Sequence, residues 1–412
     1  MPDSLVAGLD IGSSKTAVVI AEASGNAERP QVKILGVGQA RTGGIRRDVV
    51  TDIEATTGSV RKAVKEAELM SGAKVQRLFT GIAGEHIGSM PSPGMVAVSG
   101  TEVDRKDVQR VQEVARATVI PADRELVHAI PQSYVIDGVS KDNPVGMSGM
   151  RLEAEVYLVT GAVSAGQNVR KSVSRAGYEV AALVLEPLAS SLAVLSEDEK
   201  EIGVALVDLG GATTEIMIFH ENKIRHLASL PWGGSTVTGD IAKGLSLPYA
   251  EAVRAKERWG AALADAVDPN ETFEIAGPAP GQTREIARYV LGHVIEERLD
   301  EIFGLVKEQL ERSGIADKLG SGLVLTGGGA SLQGVLELAE RSFPLPVRVG
   351  VPGEGLGGLV DSVRRPKFAT ATGLAIYAAR QTLSDSTGGA AAGAVSVGGA
   401  VRWVRDWLAD FF

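Results

Sequence analysis

The chain has 412 residues, 44% of them hydrophobic, which suits a folded globule with more than one large core and excludes a disordered chain. With 42 basic against 51 acidic residues the net charge is −9, which argues against nucleic acid as a main partner. There is no cysteine, so neither a disulfide framework nor thiol chemistry is available, a composition compatible with the cytoplasm.

The start, Met1-Pro-Asp-Ser4, has no basic, apolar leader, and no apolar run reaches the ~18 residues of a membrane span. Strands are predicted at 5–11, 17–22 and 32–38. The first two flank Gly8-Leu-Asp-Ile-Gly-Ser-Ser-Lys-Thr16: a strand with an Asp at its tip, a glycine turn, a second strand. A side-chain-free turn lets backbone N–H groups approach phosphate oxygens. A carboxylate at the strand end suits Mg²⁺, which gives up its water shell reluctantly. A single such hairpin is common and carries little information. Thr51, with Glu54 three residues on, has the spacing of a capping box and opens a helix with Ile53, Val60, Ala63, Val64, Ala67 and Met70 on one face.

From about 84 to 160, Pro, Gly and short strand-like runs surround one helical pattern at Val108, Val111, Ala115 and Val119. Residues 164–176 read as a helix and 179–185 as a buried strand. Glu186-Pro187 then opens a short helix, since Pro fits a first helical position. An acid there also simply favours the helix dipole.

A second half begins at Ile202, and Val207-Asp-Leu-Gly-Gly-Ala-Thr-Thr-Glu215 repeats the strand, Asp and glycine turn. Two copies point to a duplicated fold that closes on one nucleotide; two unrelated surface hairpins are the plain alternative. Strands follow at 215–219 and 224–231, then Gly233-Gly234, two helical stretches and a polar loop at 265–282. A long charged helix at 284–313 places Ile286, Val290, Val294, Ile295, Leu299, Ile302, Phe303, Val306 and Leu310 on its buried side. Gly322-Leu-Val-Leu-Thr-Gly-Gly-Gly-Ala330 runs an apolar strand into three glycines, and a helical pattern at 331–341 follows. It is neither a Walker loop nor a spaced dinucleotide fingerprint. A flat adenosine could lie against Gly327, Gly328 and Gly329. The five His residues show no metal-ligand spacing.

Residues 381–399 are mostly Ser, Gly and Ala, a flexible linker with a reach on the order of 20–25 Å. Beyond it Val401, Val404, Trp407, Leu408, Phe411 and Phe412 share one helical side, with Trp403 at its edge and Arg402, Arg405, Asp406 and Asp410 opposite. A helix this short is marginal in water and is ordered by docking at a bilayer interface. Docking on the protein's own body or in a partner groove is the alternative.

The order and spacing of these loops resemble the actin, Hsp70 and sugar-kinase ATPase superfamily. Within it the chain is similar to the FtsA family of bacterial cell-division proteins over nearly its whole length. The closer resemblance rests on Ala67-Glu-Leu-Met-Ser-Gly72, Ile130-Pro-Gln-Ser-Tyr134, Asn143-Pro-Val-Gly-Met-Ser-Gly149, Leu188-Ala-Ser-Ser-Leu192 and Leu325-Thr-Gly-Gly-Gly329. It implies an α/β fold: a duplicated actin-like ATPase with two lobes around a nucleotide cleft, an inserted small α/β domain and a C-terminal amphipathic helix. The first-lobe core would take 1–83, 164–200 and 351–380, and the inserted domain 84–163. The second-lobe core would take 201–231 and 314–350, its small subdomain 232–313, the linker 381–399 and the membrane-targeting helix 400–412.

The resemblance further implies ATP with Mg²⁺ in the cleft. Gly12, Ser13, Ser14, Lys15 and Thr16 would hold phosphate from one side; Gly210, Gly211, Ala212, Thr213 and Thr214 would do so from the other. Asp10 and Asp208 would hold the metal's waters, Glu186 would orient the attacking water, and Lys256 would reach the base or ribose. Where the family often has Glu three residues before that Lys, this chain has Val253, with Glu251 and Arg254 as a shifted alternative. A slow ATPase at most is expected. The implied partners are the C-terminal peptide of FtsZ, with Arg298 as a contact or else a surface Arg paired with Glu, further copies of the chain in a filament, other division proteins, and the cytoplasmic face of the cell membrane at the division site, bound peripherally. The alternatives are a small-molecule kinase of the superfamily or an actin-like pilus-assembly protein.

Overall fold

The computed structural model describes residues 4–276 and 283–388. The first lobe opens with β1 (Ser4–Ile11), β2 (Lys15–Gly25) and β3 (Pro30–Arg41), continues through a small ribbon of β4 (Ile45–Arg46) and β5 (Val49–Val50), and reaches α1 (Ile53–Ser71) and β6 (Arg77–Ile82). An inserted unit follows: β7 (Gly88–Ala97), α2 (Arg105–Arg116), β8 (Arg124–Ile136), β9 (Val139–Lys141) and β10 (Arg151–Ala162). The chain returns with α3 (Val163–Ala176), β11 (Glu179–Leu185), α4 (Glu186–Val194) and α5 (Glu197–Ile202).

The second lobe holds β12 (Val204–Leu209), β13 (Thr214–His220), β14 (Lys223–Leu230), α6 (Gly234–Gly244), α7 (Tyr249–Trp259), β15 (Thr272–Ala276), β16 (Thr283–Ala287), α8 (Arg288–Arg312), β17 (Leu323–Thr326), α9 (Val335–Ser342) and β18 (Val347–Val349). The chain then adds β19 (Leu356–Gly358) to the edge of the first sheet and ends its described part in α10 (Ala369–Gly388).

Duplication is visible in the sheets. The first runs β11-β6-β1-β2-β3-β19, and the second runs β14-β13-β12-β17-β18. In each, the opening strand pairs antiparallel with the next and parallel with a later one: β1 with β2 and β6, β12 with β13 and β17. The inserted unit is a separate antiparallel sheet, β7-β10-β8-β9, with α2 packed on it.

Strands with both faces covered read as continuous apolar runs. One core lies between the lobes and joins Val19, Leu206, Met217 and Val324 to Leu374 and Ala378 of α10. That helix approaches so closely that a Cβ on Gly373 would stand 1.7 Å from the Ala189 carbonyl of α4, so only glycine fits the crossing. Separate cores back the first sheet with α1 and α3 and the second sheet with α6, α8 and α9.

Several sequence expectations shift. The cap of α1 is Asp52, whose carboxylate accepts from the Ala55 amide, rather than Thr51; a short polar side chain one residue later reaches the orphan N–H. Val119, placed on the apolar face of α2, is 90% exposed, because the helix ends at Arg116. The long helix starts at Arg288 rather than 284, since Thr283–Ala287 pairs with Thr272–Ala276; Ile286 thus sits in a strand and Val290 is exposed. The glycine run does not enter a helix directly: a single 3₁₀ turn at Gly329–Ser331 precedes α9, which waits for left-handed Gly334. Residues 381–388, read as linker, belong to α10, because buried Gln381 and Leu383 dock the last turns on the body. The rest of the linker and the amphipathic segment of Val401, Trp403, Val404, Trp407, Leu408, Phe411 and Phe412 lie outside the described residues.

Candidate nucleotide cleft

The two glycine hairpins face each other across the lobes. In the first, the Gly12 amide donates to the Lys15 carbonyl at 3.1 Å; in the second, the Gly210 amide donates to the Thr213 carbonyl at 3.0 Å. Each glycine stands two residues beyond its strand-tip Asp, so the turns are equivalent. A Cβ on Gly211 would come within 2.9 Å of Ser14 Oγ, which shows how closely the turns approach. A Cβ on Gly12 would stand 3.2 Å from the Lys15 carbonyl and 3.5 Å from Asp10 Oδ1; on Gly210 it would stand 2.8 Å from the Thr213 carbonyl.

Five carboxyl groups converge here: Asp10, Asp48, Glu186, Asp208 and Glu215 act on one another electrostatically. Asp10 at the tip of β1 is paired with Lys15, whose Nζ lies 2.9 Å from Oδ2. The same amine donates to the Lys367 carbonyl at 2.6 Å and sits 5.3 Å from the Phe368 ring centroid. Among the described residues Asp208 accepts from two hydroxyls, Ser190 Oγ at 3.1 Å and Thr370 Oγ1 at 3.5 Å. Burial pushes Asp208 up to about 6, opposed by the Ser190 hydrogen bond and helped by Asp10. Burial also pushes Glu215 up to about 8, although Ser229 donates to it at 2.8 Å. Glu186, at the junction of β11 and α4, is raised well above the carboxylate range by burial and then by the charge of Asp10 and Asp48. Gly81 of β6 leaves room for it, since a Cβ there would meet Glu186 Cγ and Oε1 at 2.7 Å. The donor set therefore fits a divalent cation and phosphate: clustered acid with one neutralising amine, beside bare turns.

The glycine run closes the second-lobe side. Gly327 is left-handed, and a Cβ there would press to 2.2 Å from Asp208 Oδ1. Gly329 packs on Leu209, whereas Gly328 is exposed and faces open space.

The family model for "Cell division protein FtsA" matches residues 205–373, and that for the "SHS2 domain inserted in FTSA" matches 84–160. The cell division protein FtsA of Pseudomonas aeruginosa is 45% identical over 376 residues, 90% of this chain and 89% of that protein. The chain belongs to the FtsA family. Its role is that of an actin-like cell-division protein, which sets aside the kinase and pilus-assembly alternatives. The fold is shared with a PilM-PilN type IV pilus biogenesis complex (TM-score 0.63, 18% identity, covering 91% of this chain and 98% of that one). It is shared too with MreB5 of Spiroplasma citri bound to ADP (TM-score 0.56, 14% identity, covering 93% and 98%).

Within this FtsA fold, Gly12, Ser13, Ser14, Lys15 and Thr16 lie on the first turn, and Gly210, Gly211, Ala212, Thr213 and Thr214 on the second, where Thr214 Oγ1 donates to the Trp232 carbonyl at 2.7 Å. Lys256 of α7 turns toward the start of α6: its Nζ donates to the Gly234 carbonyl at 2.5 Å, and burial lowers its pKa to about 8. Gly234 in turn donates from its amide to the Gly210 carbonyl at 3.0 Å, so Lys256 is tied to the second glycine turn. Glu251 and Arg254 pair with each other. Arg298 lies outside the cleft on α8, paired with Asp240 at 2.5 Å and with Glu301.

The sequence reading missed four contributors. Glu215 was detectable as an ionisable residue inside an apolar strand, and Ser190 as the residue one turn after Glu186 on the same helix face. Asp48 and Thr370 come from distant segments and gave no local signal. Among the described residues no group of three or more His, Asp or Glu side chains closes as a metal cage, and no helix is long and apolar enough to cross a membrane.

Proposed function

We propose that this cleft binds Mg-ATP and that the nucleotide-loaded chain polymerises beneath the cell membrane and tethers FtsZ filaments there at the division site. The observation that carries the reading is the facing pair of equivalent glycine turns with Asp10 and Asp208 at their strand tips. The nucleotide-bound state of MreB5, a fold neighbour, supports it. Backbone N–H groups of both turns and the Lys15 amine hold phosphate, a helix-free version of anion binding by bare backbone. Asp10 and Asp208 would hold Mg²⁺ through water, and the metal would supply the positive charge that the phosphate oxygens require. The glycines at 327–329 back the adenosine, and the subdomain at 232–313 covers it.

Glu186 is the group placed to orient water, and burial and the charges of Asp10 and Asp48 raise its pKa well above the carboxylate range in the nucleotide-free chain. Positive charge entering the cleft would lower that pKa and favour Glu186 as a base, a reading consistent with a slow ATPase at most. The inserted domain contacts neighbouring subunits and other division proteins. Arg298 meets the FtsZ C-terminal peptide by exchanging Asp240 or Glu301 for an acidic group of the peptide. The segment 400–412 lies on the bilayer, and a filament that displays many copies holds firmly through avidity.

Two experiments test the reading. Asp10→Ala and Asp208→Ala should each abolish Mg²⁺-dependent ATP binding in calorimetry; unchanged binding refutes the site. Full-length protein should float with liposomes and a chain lacking 401–412 should not; equal flotation refutes the membrane part.

A further inference from the structure

The tip of the β4–β5 ribbon reaches into the cleft. Arg47 and Asp48 form its turn, both left-handed with φ of 47° and 57°, the conformation of a tight two-residue hairpin. Glycine is the usual occupant of such a position, and Asp is among the few side chains that visit it, by bonding to nearby groups. The holding contacts are specific. Asp48 Oδ1 accepts from Ser13 Oγ at 2.6 Å, and the Asp48 amide donates to the same oxygen at 3.1 Å. Asp48 Oδ2 accepts from Thr213 Oγ1. One carboxylate thus bridges a hydroxyl of the first phosphate turn and a hydroxyl of the second, residues 165 apart in sequence for the latter pair. Behind the tip stands left-handed Gly84, where a Cβ would lie 3.3 Å from the Arg47 carbonyl and 3.4 Å from Asp48 Cβ. The ribbon is therefore backed by the point at which the chain enters the inserted domain.

Electrostatically the placement is unfavourable for the neighbours: the charge of Asp48 raises the pKa of Glu186, Asp208 and Glu215. A carboxylate that accepts from two hydroxyls, on two loops otherwise suited to phosphate, occupies an anion's place. We propose that Asp48 is an internal anion that latches the two phosphate turns together in the empty cleft and that nucleotide phosphate must displace. This rests on the nucleotide reading above. Asp48 is a positioning residue: it acts through Ser13 and Thr213 and makes the site select for ligands with enough phosphate charge and hydrogen-bonding capacity to take over both hydroxyls. On displacement the tip shifts against Gly84, so phosphate occupancy is felt where the inserted domain begins.

The test compares the full chain with Asp48→Gly, which suits the left-handed turn, and Asp48→Asn, which keeps the side-chain size without its charge. Calorimetry with Mg-ATP, Mg-ADP and adenosine should show both variants binding ATP about tenfold more tightly, ADP by less, and adenosine unchanged. A purely structural role would move all three ligands together. ATP affinity that is unchanged or weaker overturns the latch and would fit instead a direct role for Asp48 in holding the metal's waters. Hydrogen exchange on the nucleotide-free proteins supplies an arm that needs no ligand. Amides at 12–14 and 211–213 should exchange faster in Asp48→Gly, and unchanged protection overturns the latch whether or not nucleotide binds. If the unmodified chain and both variants bind none of the three ligands, the nucleotide reading fails, and exchange alone decides the latch.

Discussion

The two glycine turns share a backbone and differ in charge. Around the first, Asp10 has its own counterion in Lys15, which is further fixed by the Lys367 carbonyl and the Phe368 ring. Around the second, Asp208 accepts from the Ser190 and Thr370 hydroxyls and feels the Lys15 charge without a salt bridge to it among the described residues, and nearby Glu215 sits in a buried strand. The consequence is visible in the pKa values: burial, which the Lys15 charge offsets only in part at Asp208, drives Asp208 to about 6 and Glu215 to about 8. Duplication copied the hairpin, and the electrostatics then diverged, leaving the second side short of positive charge. That side is the one on which an incoming cation gains most.

The largest effect expected from this contrast is at Glu215. Unfolded, it releases its proton near 4.5; folded, near 8, so the folded state holds more protons in between. Stability of the nucleotide-free chain should therefore fall as pH rises from about 4.5 to 8, by roughly 3–5 kcal/mol, and level off above. Glu215→Gln should remove most of that fall in urea titrations across the range. Parallel profiles for the two proteins would break the comparison.

Next comes Lys15→Ala, which makes the first turn resemble the second. ATP affinity should drop about a hundredfold, read by calorimetry at fixed Mg²⁺. A loss of less than twofold would mean that the amine is only a structural partner of Asp10. A smaller effect belongs to Asp208→Asn. Its raised pKa costs stability as pH climbs from about 4 to 6, so the variant should gain roughly 2 kcal/mol above pH 6 and nothing below pH 4. A gain that persists at low pH would point to packing instead of charge. The smallest contrast is steric. Gly210→Ala should destabilise by about 1 kcal/mol more than Gly12→Ala, because the added methyl is tighter against Thr213 than against Lys15; equal melting temperatures would show that the two turns relax alike.

Much of the lobe architecture was legible locally. Apolar runs bounded by glycine or Asp identify β1, β12 and β17, and Glu186-Pro187 marks the start of α4 to the residue. Boundaries failed where a long-range partner decided them. Residues 283–287 look helical because Ile286 continues the spacing of α8, but pairing with 272–276 makes them a strand. Residues 381–388 look like linker because Ser and Thr are poor core formers, yet they continue a helix that Gln381 and Leu383 anchor. In the site, the turns were readable because glycine spacing is a backbone property. Lys256 was placed by resemblance toward the base or ribose; the fold turns its amine to Gly234.

By itself, the order of residues determined the two strand–Asp–glycine hairpins, the bare three-glycine run and the junction acid, since each depends on neighbours within a few positions. Only the tertiary structure decided that Asp10 forms a salt bridge with Lys15 while Asp208 is held by hydroxyls, that burial raises the pKa of Glu215 and Glu186, and that Asp48 spans both turns. Charge and desolvation act through space, and the groups that set them stand as far apart in the chain as Asp48 and Thr213.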